Sequence, residues 1–345
     1  MEARAKRRKR IALIYGGIGG EREVSASGAK NVLGLIDKEE YIPYPVEISQ
    51  SGEWLHTAKN EEQYPIYPAR INGRSGFIDK ERFLPCKIAF PLLHGEMGED
   101  GKVQGLLDCL DFSYVGCGVF AGAVAYDKAC TKIFAERLGI PTVKWIATDG
   151  EQTAESALLL AEKSIGYPMF IKPTAQGSSI GAKGVLSRED FIPAFLAARS
   201  AGNGRVLIEE LLEDKRELEC AYLCAGGTEL VTPPGEVLCR GFYGYGEKYL
   251  GKGEIKITPV AAVSEATQSI LTEYCLILAK ALGIRHLSRF DFFLTPEGLY
   301  LNEINTMPGF TAGSLYSAMT EAAGIDKKRL INLLIKAALE DDRRP

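Results

Sequence analysis

The segment Ser288–Gly309, SRFDFFLTPEGLYLNEINTMPG, constrains the fold most, because it predicts a β-hairpin that gathers polar side chains on one face. Two runs of strand-forming residues flank Pro296–Gly298, which suit a three-residue loop: a type I turn with glycine in the left-handed position. Thr295 then pairs with Leu299. Because alternate residues of a strand share a face, the residues that point the same way are Arg289, Asp291, Glu303 and Asn305. A two-residue loop would shift this register and separate them.

The hairpin carries oxygen ligands of the kind that hard metal ions prefer. Asp291, Glu303 and Asn305 supply carboxylate and amide oxygens, with no histidine or cysteine among them. Such a set suits Mg²⁺, which keeps waters and takes its other ligands from substrate phosphates. The segment therefore predicts an ATP site. An ordinary hairpin with a solvated polar face is the alternative on this segment alone.

Composition places the chain among globular proteins with several cores. At 345 residues we expect two or three domains, and a formal charge of -4 argues against a nucleic-acid partner. No apolar run approaches the roughly 20 residues that a membrane span needs, so we expect no membrane partner. Eight cysteines are scattered without a CxxC pair, which indicates buried thiols in a reducing cytosol and no zinc site.

The pattern of strands and helices predicts three parts after a disordered basic tail at residues 1–10. Residues 11–126 begin with a strand, a glycine-rich turn and a helix, and their buried strand Lys87–Leu93 favours an open parallel α/β sheet. Within them, Gln50–Pro85 is predicted to be a peripheral excursion with little chemistry. Residues 127–210 form a compact α+β module, and residues 211–345 consist of long strands and polar loops that end in the hairpin and a helix over Lys327–Leu339.

A loop rich in glycine and serine, Lys172–Gly181, follows a predicted strand. Its N–H groups and the hydroxyls of Ser178 and Ser179 are suited to phosphate oxygens. Its lysine precedes the glycines, so it is not a Walker A loop. A plain flexible connection is the alternative, but the neighbouring metal ligands favour phosphate.

Three further segments have functional and structural interpretations. Glu209–Leu212 ends a strand between two predicted domains and offers backbone groups to an adenine edge, with Glu217 placed for ribose hydroxyls. Tyr243–Tyr249 is an aromatic loop, equally typical of a surface Ω-loop. His94 follows a buried strand, which is a ligand-binding position in α/β sheets, although lone histidines are more often structural.

Taken in order, eight segments resemble the D-alanine:D-alanine ligase family of the ATP-grasp superfamily. They extend from about Ile11 to Tyr316 and read GGIGGEREVS, LLHGEMGEDGKVQG, YDK, FIKPTAQGSSIG, IEELLEDKRELE, YGYGEKY, SRFDFFL and LNEINTMPGFTAGSLY. The resemblance implies a three-domain ATP-grasp architecture. In it, residues 11–126 bind substrate, residues 127–210 form the central subdomain, and residues 211–345 carry the metal ligands and a lid loop at Gly241–Gly253.

The resemblance implies roles for individual residues. The ATP-binding positions are Lys128, Lys172, Ser178, Ser179, Glu209, Leu211, Leu212, Glu217 and Lys248. The ligands of two Mg²⁺ ions, replaceable by Mn²⁺, are Asp291, Glu303 and Asn305. The substrate-binding positions are Glu21, His94, Lys248, Ser314 and Leu315, and the catalytic positions are Glu21, Ser178, Tyr249, Arg289 and Gly309.

The implied activity is ATP-dependent ligation of two D-alanines through an acyl phosphate, in peptidoglycan precursor synthesis, by a cytoplasmic homodimer. D-Alanine:D-serine and D-alanine:D-lactate ligases are the alternatives within the family. A Rossmann dehydrogenase is disfavoured because IYGGIGG does not fit G-x-G-x-x-G, and a non-catalytic ATP-binding module leaves the hairpin residues without a purpose. The chain departs from the usual family pattern at Gly19, Gly20, Lys102, Lys215, Gly313 and Ser317.

Overall fold

The computed structural model describes residues 8–58, 60–238 and 256–341, and these residues form three β-sheets. Most of the predicted basic tail lies outside the described residues. So do Lys248, Tyr249 and the predicted lid loop. No helix among the described residues is long and apolar enough to cross a membrane.

The first sheet has eight strands in the order β6-β5-β4-β3-β2-β1-β7-β8. Strands β2, β1, β7 and β8 run parallel, as predicted, whereas β3 to β6 are antiparallel and extend one edge. The stretch Gln50–Pro85 is therefore part of the sheet, and the sheet is mixed. The strands are β1 (Lys9–Gly16), β2 (Tyr41–Ile48), β3 (Trp54–Thr57), β4 (Gln63–Ile71), β5 (Arg74–Asp79), β6 (Arg82–Pro85), β7 (Ile88–Pro91) and β8 (Ser113–Tyr114).

The turn after β1 holds the first helix, α1 (Arg22–Leu35), against the carboxyl ends of the parallel strands. Gly16 and Gly17 have φ angles of 93° and 110°, a conformation that residues with a Cβ atom rarely adopt. The Ser25 hydroxyl accepts a hydrogen bond from the Gly16 N–H at 2.8 Å and donates one to the Leu92 carbonyl at 2.7 Å. This buried bridge fixes the start of α1, and with it Glu21, beside the end of β7.

The second sheet is antiparallel, in the order β11-β10-β12-β9, with helices packed on it. Apolar residues of both helices and of the strands form one core. The elements are β9 (Trp145–Ala147), α5 (Ala154–Ser164), β10 (Met169–Pro173), β11 (Lys183–Val185), α6 (Arg188–Ala201) and β12 (Val206–Glu210). The glycine- and serine-rich loop connects β10 to β11, as expected for a loop that follows a strand.

The third sheet has the order β16-β15-β13-β17-β18, with β14 paired to β13. Its strands are β13 (Arg216–Ala225), β14 (Thr228–Val231), β15 (Gly235–Leu238), β16 (Lys256–Thr258), β17 (His286–Thr295) and β18 (Gly298–Asn305). The helix α7 (Glu265–Leu282) interrupts the strands predicted for this part, and the sequence analysis missed it. Its ends carry clear signals: the Ser264 hydroxyl accepts the Thr267 N–H at its start, and Gly283 is left-handed at its end.

The remaining helices share cores with the first sheet, the third sheet or both. They are α2 (Lys102–Cys109), α3 (Val119–Tyr126), α4 (Lys128–Arg137), α8 (Leu315–Ala322) and α9 (Lys327–Asp341). Helices α3 and α4 share a core with the third sheet and α7. Helix α9 shares a core with both the first and the third sheet, where Leu13, Leu287 and Leu334 are all buried. These shared cores fix the ends of the first sheet relative to the hairpin.

Candidate active site

The hairpin β17–β18 differs from the predicted one in its loop and agrees with it at the polar residues. Thr295 pairs with Gly298, so the loop has two residues and the three-residue prediction is wrong. A β-bulge then adds one residue, Asn302, to β18 and restores the register. The predicted pairs of Arg289 with Asn305 and of Asp291 with Glu303 are therefore confirmed.

The bulge brings an additional polar side chain to the site. Asn302 accepts a hydrogen bond from Lys172 Nζ at 3.2 Å. In a regular strand Asn302 would face away from Glu303, because neighbouring side chains alternate. Asn302 was not predicted as a site residue, because a bulge is not visible in the alternation of residue types.

Arg289 joins two carboxylates on neighbouring strands. Its Nε and Nη2 atoms lie 2.7 Å and 2.6 Å from the two oxygens of Asp291, and its Nε lies 3.0 Å from Glu219 Oε2. Burial opposes the charge on Arg289, but Asp291 and then Glu219 raise its pKa well above the ordinary value. Glu219 lies opposite Asp291 on β13, and the sequence analysis missed it because strand pairing across a long sequence separation was not predicted.

The proposed metal ligands lie together on the face that the hairpin register predicts. Glu303 Oε2 is 3.2 Å from Lys128 Nζ, and the Asn305 side-chain oxygen accepts the Met307 N–H at 3.0 Å. Within residues 8–58, 60–238 and 256–341, no three Asp, Glu, His or Cys side chains form a metal-sized group. The donor set fits Mg²⁺ only if Asn305, water and phosphate oxygens complete the coordination, which is the usual manner of this ion.

Glu21, at the start of α1, contacts the loop that connects β10 to β11. The Ser178 hydroxyl donates a short hydrogen bond to Glu21 Oε1. The other oxygen, Oε2, is buried and has no hydrogen-bond partner among the described residues. Because a buried carboxylate oxygen without a partner is costly, this atom is a strong acceptor for an ammonium group that enters the cavity.

Glu99 is a second buried carboxyl close to Glu21. It accepts the Gly95 N–H at 2.7 Å, and the sequence analysis did not single it out within HGEMGEDG. Burial, and then the charge of Glu21, raise the pKa of Glu99 to about 8. Glu99 is therefore largely protonated near neutral pH, and the carboxyl can donate as well as accept.

We expect this raised pKa to make stability fall with rising pH. The pKa of Glu99 moves from its ordinary 4.5 to about 8 on folding. In the pH window between these two values, the folded chain holds a proton that the unfolded chain has lost. The free energy of unfolding should decrease as pH rises through it, by up to about 1.4 kcal/mol per pH unit. Urea unfolding across the window should show a smaller decline for Glu99→Gln, which keeps the group neutral, than for the wild type.

The control for this measurement is Glu96→Gln, which changes an exposed glutamate of the same loop. Its stability should follow the wild-type pH dependence. Parallel curves for wild type and Glu99→Gln would contradict the raised pKa. The charged groups that act on Glu99 from other elements, Glu21, Lys128 and Glu303, are unchanged in both variants.

Two cavities meet at the hairpin. The Glu21 cavity has a volume of about 480 Å³, and the Glu209 cavity one of about 560 Å³. Both are within the size range of small-ligand sites. The residues that line both cavities are Lys128, Gln176, Ser178, Glu219, Val237, Arg289 and Glu303.

The predicted site residues divide between these two cavities. The Glu21 cavity is lined by Glu21, His94, Asn305, Gly309, Ser314 and Leu315, with Glu99 and Tyr126 beside them. The Glu209 cavity is lined by Lys172, Ser179, Glu209, Leu211, Leu212, Glu217 and Asp291, with Asn302. Leu315 is buried and gives the Glu21 cavity an apolar side. Lys248 and Tyr249 cannot be assigned to either cavity because they lie outside the described residues.

Some of the backbone groups that were predicted to bind an adenine edge already have hydrogen-bond partners within the protein. The N–H groups of Glu210 and Leu211 donate to the carbonyls of Lys144 and Pro168. Lys215 lies 3.1 Å from Glu217 and 4.0 Å from the Phe293 ring centroid. A ligand that reaches Glu217 therefore meets a carboxylate already held by a cation.

The fold and the paired cavities define an ATP-grasp enzyme. Family patterns described as "D-ala D-ala ligase N-terminus" and "D-ala D-ala ligase C-terminus" match residues 10–117 and 134–336. The chain belongs to the D-alanine:D-alanine ligase family.

Individual relatives agree with this assignment. The chain is 36% identical to a D-alanine--D-alanine ligase of Ruminiclostridium cellulolyticum, over 98% of each chain. It is similar to the crystal structure of VanG D-Ala:D-Ser ligase from Enterococcus faecalis, with a TM-score of 0.86 and 30% identity over 96% of this chain and 100% of the other. D-Alanyl-alanine synthetase A from Vibrio cholerae gives a TM-score of 0.86 and 28% identity, over 96% and 99%.

Proposed function

We propose that the protein joins two D-alanine molecules, with ATP converted to ADP and phosphate, to make D-alanyl-D-alanine for peptidoglycan precursors. The observation that carries this proposal is the wall shared by the two cavities. It holds Lys128, Arg289 and Glu303, so an amino acid anchored at Glu21 has its carboxylate beside the end of a triphosphate in the Glu209 cavity. A carboxylate is a poor acyl donor until it is phosphorylated.

The first step is phosphoryl transfer. The ammonium of the first D-alanine pairs with Glu21, whose Oε2 lacks a partner among the described residues. A carboxylate oxygen of this D-alanine attacks the γ-phosphorus of ATP, the bond from that phosphorus to the β–γ bridging oxygen breaks, and ADP leaves. Lys128 and Lys172 offset the charge of the phosphates while the acyl phosphate forms.

The second step is acyl transfer. The free amine of the second D-alanine attacks the carbonyl carbon, a tetrahedral oxyanion forms, and phosphate leaves as the nitrogen loses a proton. The Arg289 guanidinium lines both cavities, so it is available to the oxyanion, and we assign the Gly309 N–H to the same role. His94 and Ser314 line the Glu21 cavity and are assigned to substrate binding.

We assign Asp291, Glu303 and Asn305 to two Mg²⁺ ions, which Mn²⁺ can replace. Bound ions would supply positive charge to the phosphate oxygens. Asp291 lines the Glu209 cavity, Asn305 lines the Glu21 cavity, and Glu303 lines both, so the set spans the place where phosphate and carboxylate meet. The ATP contacts are assigned to Ser178, Ser179, Glu209, Leu211, Leu212, Glu217 and Lys248.

D-Serine is the second candidate for the second substrate, because the chain is similar to a D-Ala:D-Ser ligase over its whole fold. Leu315 argues against it. This side chain lines the Glu21 cavity and has no group that could pair with an extra hydroxyl. We assign Tyr249, neutral near pH 7, to the position where histidine favours D-lactate in related ligases.

We expect D-alanine to be preferred over D-serine by roughly tenfold to a hundredfold, because burying the extra hydroxyl without a partner costs about 1 to 3 kcal/mol. Mass spectrometry of the products from D-alanine mixed with equal D-serine or D-lactate tests this. D-Alanyl-D-alanine should predominate near neutral pH. A predominant mixed product would contradict the assignment of the second substrate but not the ATP-grasp chemistry.

We also propose that the protein is cytoplasmic and forms a homodimer. Each chain would have three domains, residues 11–126, 127–210 and 211–345. One sheet in each part supports the division, although α4 in the second part packs in the core of the third sheet. Light scattering of the purified protein tests the dimer.

A further inference from the structure

Lys132 is an entirely buried lysine whose charge has no explanation in the reaction described above. It lies on α4 with 0% of its side chain exposed. Lysine is almost never fully buried without a partner, because removing an ammonium from water is very costly. Its partner is Glu209: Lys132 Nζ lies 2.7 Å from Glu209 Oε1.

Glu209 is held between two ammonium groups. Its second oxygen, Oε2, lies 2.7 Å from Lys172 Nζ. Glu209 and Lys172 both line the Glu209 cavity, whereas Lys132 lies behind them and is not part of the lining. Any effect of Lys132 on a nucleotide therefore passes through Glu209.

The two lysines keep Glu209 ionised. Burial opposes its charge, but Lys132 and then Lys172 lower the pKa of Glu209 to about 2. An ionised carboxylate accepts hydrogen bonds and donates none, and it has about four lone-pair sites; each of the two Glu209 oxygens lies 2.7 Å from a lysine ammonium. The remaining sites can accept from the 6-amino group of adenine but repel the 6-carbonyl oxygen of guanine.

Lys132 also decides how strongly Glu209 holds Lys172. Lys172 Nζ already contacts Glu209 and Asn302. An ammonium has three donors, so one is left for a phosphate oxygen. Burial lowers the pKa of Lys132, and the Glu209 carboxylate opposes that shift. While Lys132 is protonated, the three charges sum to +1; without it, the Glu209 and Lys172 charges cancel and the cavity has one positive charge fewer to attract a triphosphate.

We propose that Lys132 is a positioning residue for the nucleotide: it holds Glu209 as an acceptor that selects a purine with an amino group at C6 over one with a carbonyl there, and it leaves Lys172 available to phosphate. The inference rests on the proposed ATP-dependent function and deepens it. It assigns base selectivity and phosphate affinity to a residue that contacts no ligand.

The test compares Lys132→Met and Lys132→Gln with the wild type by calorimetric titration of ATP and of GTP, without D-alanine. Methionine keeps the length and apolar stem of lysine, and glutamine keeps a donor for Glu209 without the charge. For Lys132→Met we expect ATP affinity to fall by at least about tenfold and the ATP-to-GTP affinity ratio to fall about tenfold. Lys132→Gln should lose phosphate affinity but keep more of the base preference. The KM for D-alanine should stay within about threefold, since Lys132 does not line the Glu21 cavity.

A destabilised control separates positioning from a merely structural role. Leu334→Ala removes buried side-chain volume from α9, in the core shared with the first sheet and away from both cavities. All titrations are made at a temperature where thermal unfolding shows each variant to be folded. Leu334→Ala should lose stability but keep wild-type nucleotide affinity and base preference.

The outcomes are separable from those of the proposed function. If both Lys132 variants keep ATP affinity and the ATP-to-GTP ratio within about twofold of the wild type, the inference is overturned. If the Leu334→Ala protein loses base preference equally, Lys132 acts only through stability, and the inference is again overturned. A wild-type protein that binds ATP but makes no D-alanyl-D-alanine would contradict the proposed function and leave the nucleotide titrations decisive.

Discussion

Replacing Glu303 with Gln should lower kcat by at least about a hundredfold, because it removes one negative charge from the place where metal ions and the transferred phosphoryl group meet. Glu303 lines both cavities and lies 3.2 Å from Lys128. The substitution is nearly isosteric, so the hairpin should fold as before. Steady-state ADP release at saturating ATP, D-alanine and Mg²⁺ measures the effect.

The matched control is Glu297→Gln, which makes the same change at an exposed position in the loop of the same hairpin. It should leave kcat unchanged. The apparent Mg²⁺ requirement should rise for Glu303→Gln and not for Glu297→Gln. Near-normal turnover of Glu303→Gln at saturating Mg²⁺ would reject the hairpin as the metal site.

The hairpin also shows how far local sequence reasoning reaches. Residue alternation predicted that Arg289, Asp291, Glu303 and Asn305 share a face, and the structure agrees. The prediction succeeded despite a wrong loop, because Thr295 pairs with Gly298 and the bulge at Asn302 compensates. Chain alternation does not reveal such a bulge, since the extra residue is held by a contact with Lys172, 130 positions away in sequence.

The placement of two charged residues near the site depends on tertiary contacts that no local sequence pattern predicts. Glu219 enters the site because β13 pairs with β17, and Lys132 enters it because α4 packs beside the end of β12. In the sequence of its own segment, each of them looks like an ordinary exposed charged residue. Helix α7 differs, because its caps at Ser264 and Gly283 are local signals that were present in the sequence but were not used.

Replacing Arg289 with Lys should reduce dipeptide formation by at least about a hundredfold, comparable to the loss of an oxyanion-hole donor. Lysine keeps the positive charge but lacks the planar fork that contacts both oxygens of Asp291 and also Glu219. Since Arg289 is assigned to the second step, the acyl phosphate should still form slowly and then hydrolyse. The ratio of dipeptide to ADP, measured by mass spectrometry and a coupled assay, should therefore fall well below one.

The control for this change is Arg285→Lys, which precedes β17 and contacts the Tyr114 ring and Asp341 rather than either cavity. It should keep a dipeptide-to-ADP ratio near one. A merely structural role for Arg289 would lower both products together and leave that ratio unchanged, because fewer molecules would be folded but each would complete the reaction. A dipeptide-to-ADP ratio below one in Arg289→Lys alone would therefore indicate a loss of oxyanion stabilisation and not a loss of folded enzyme.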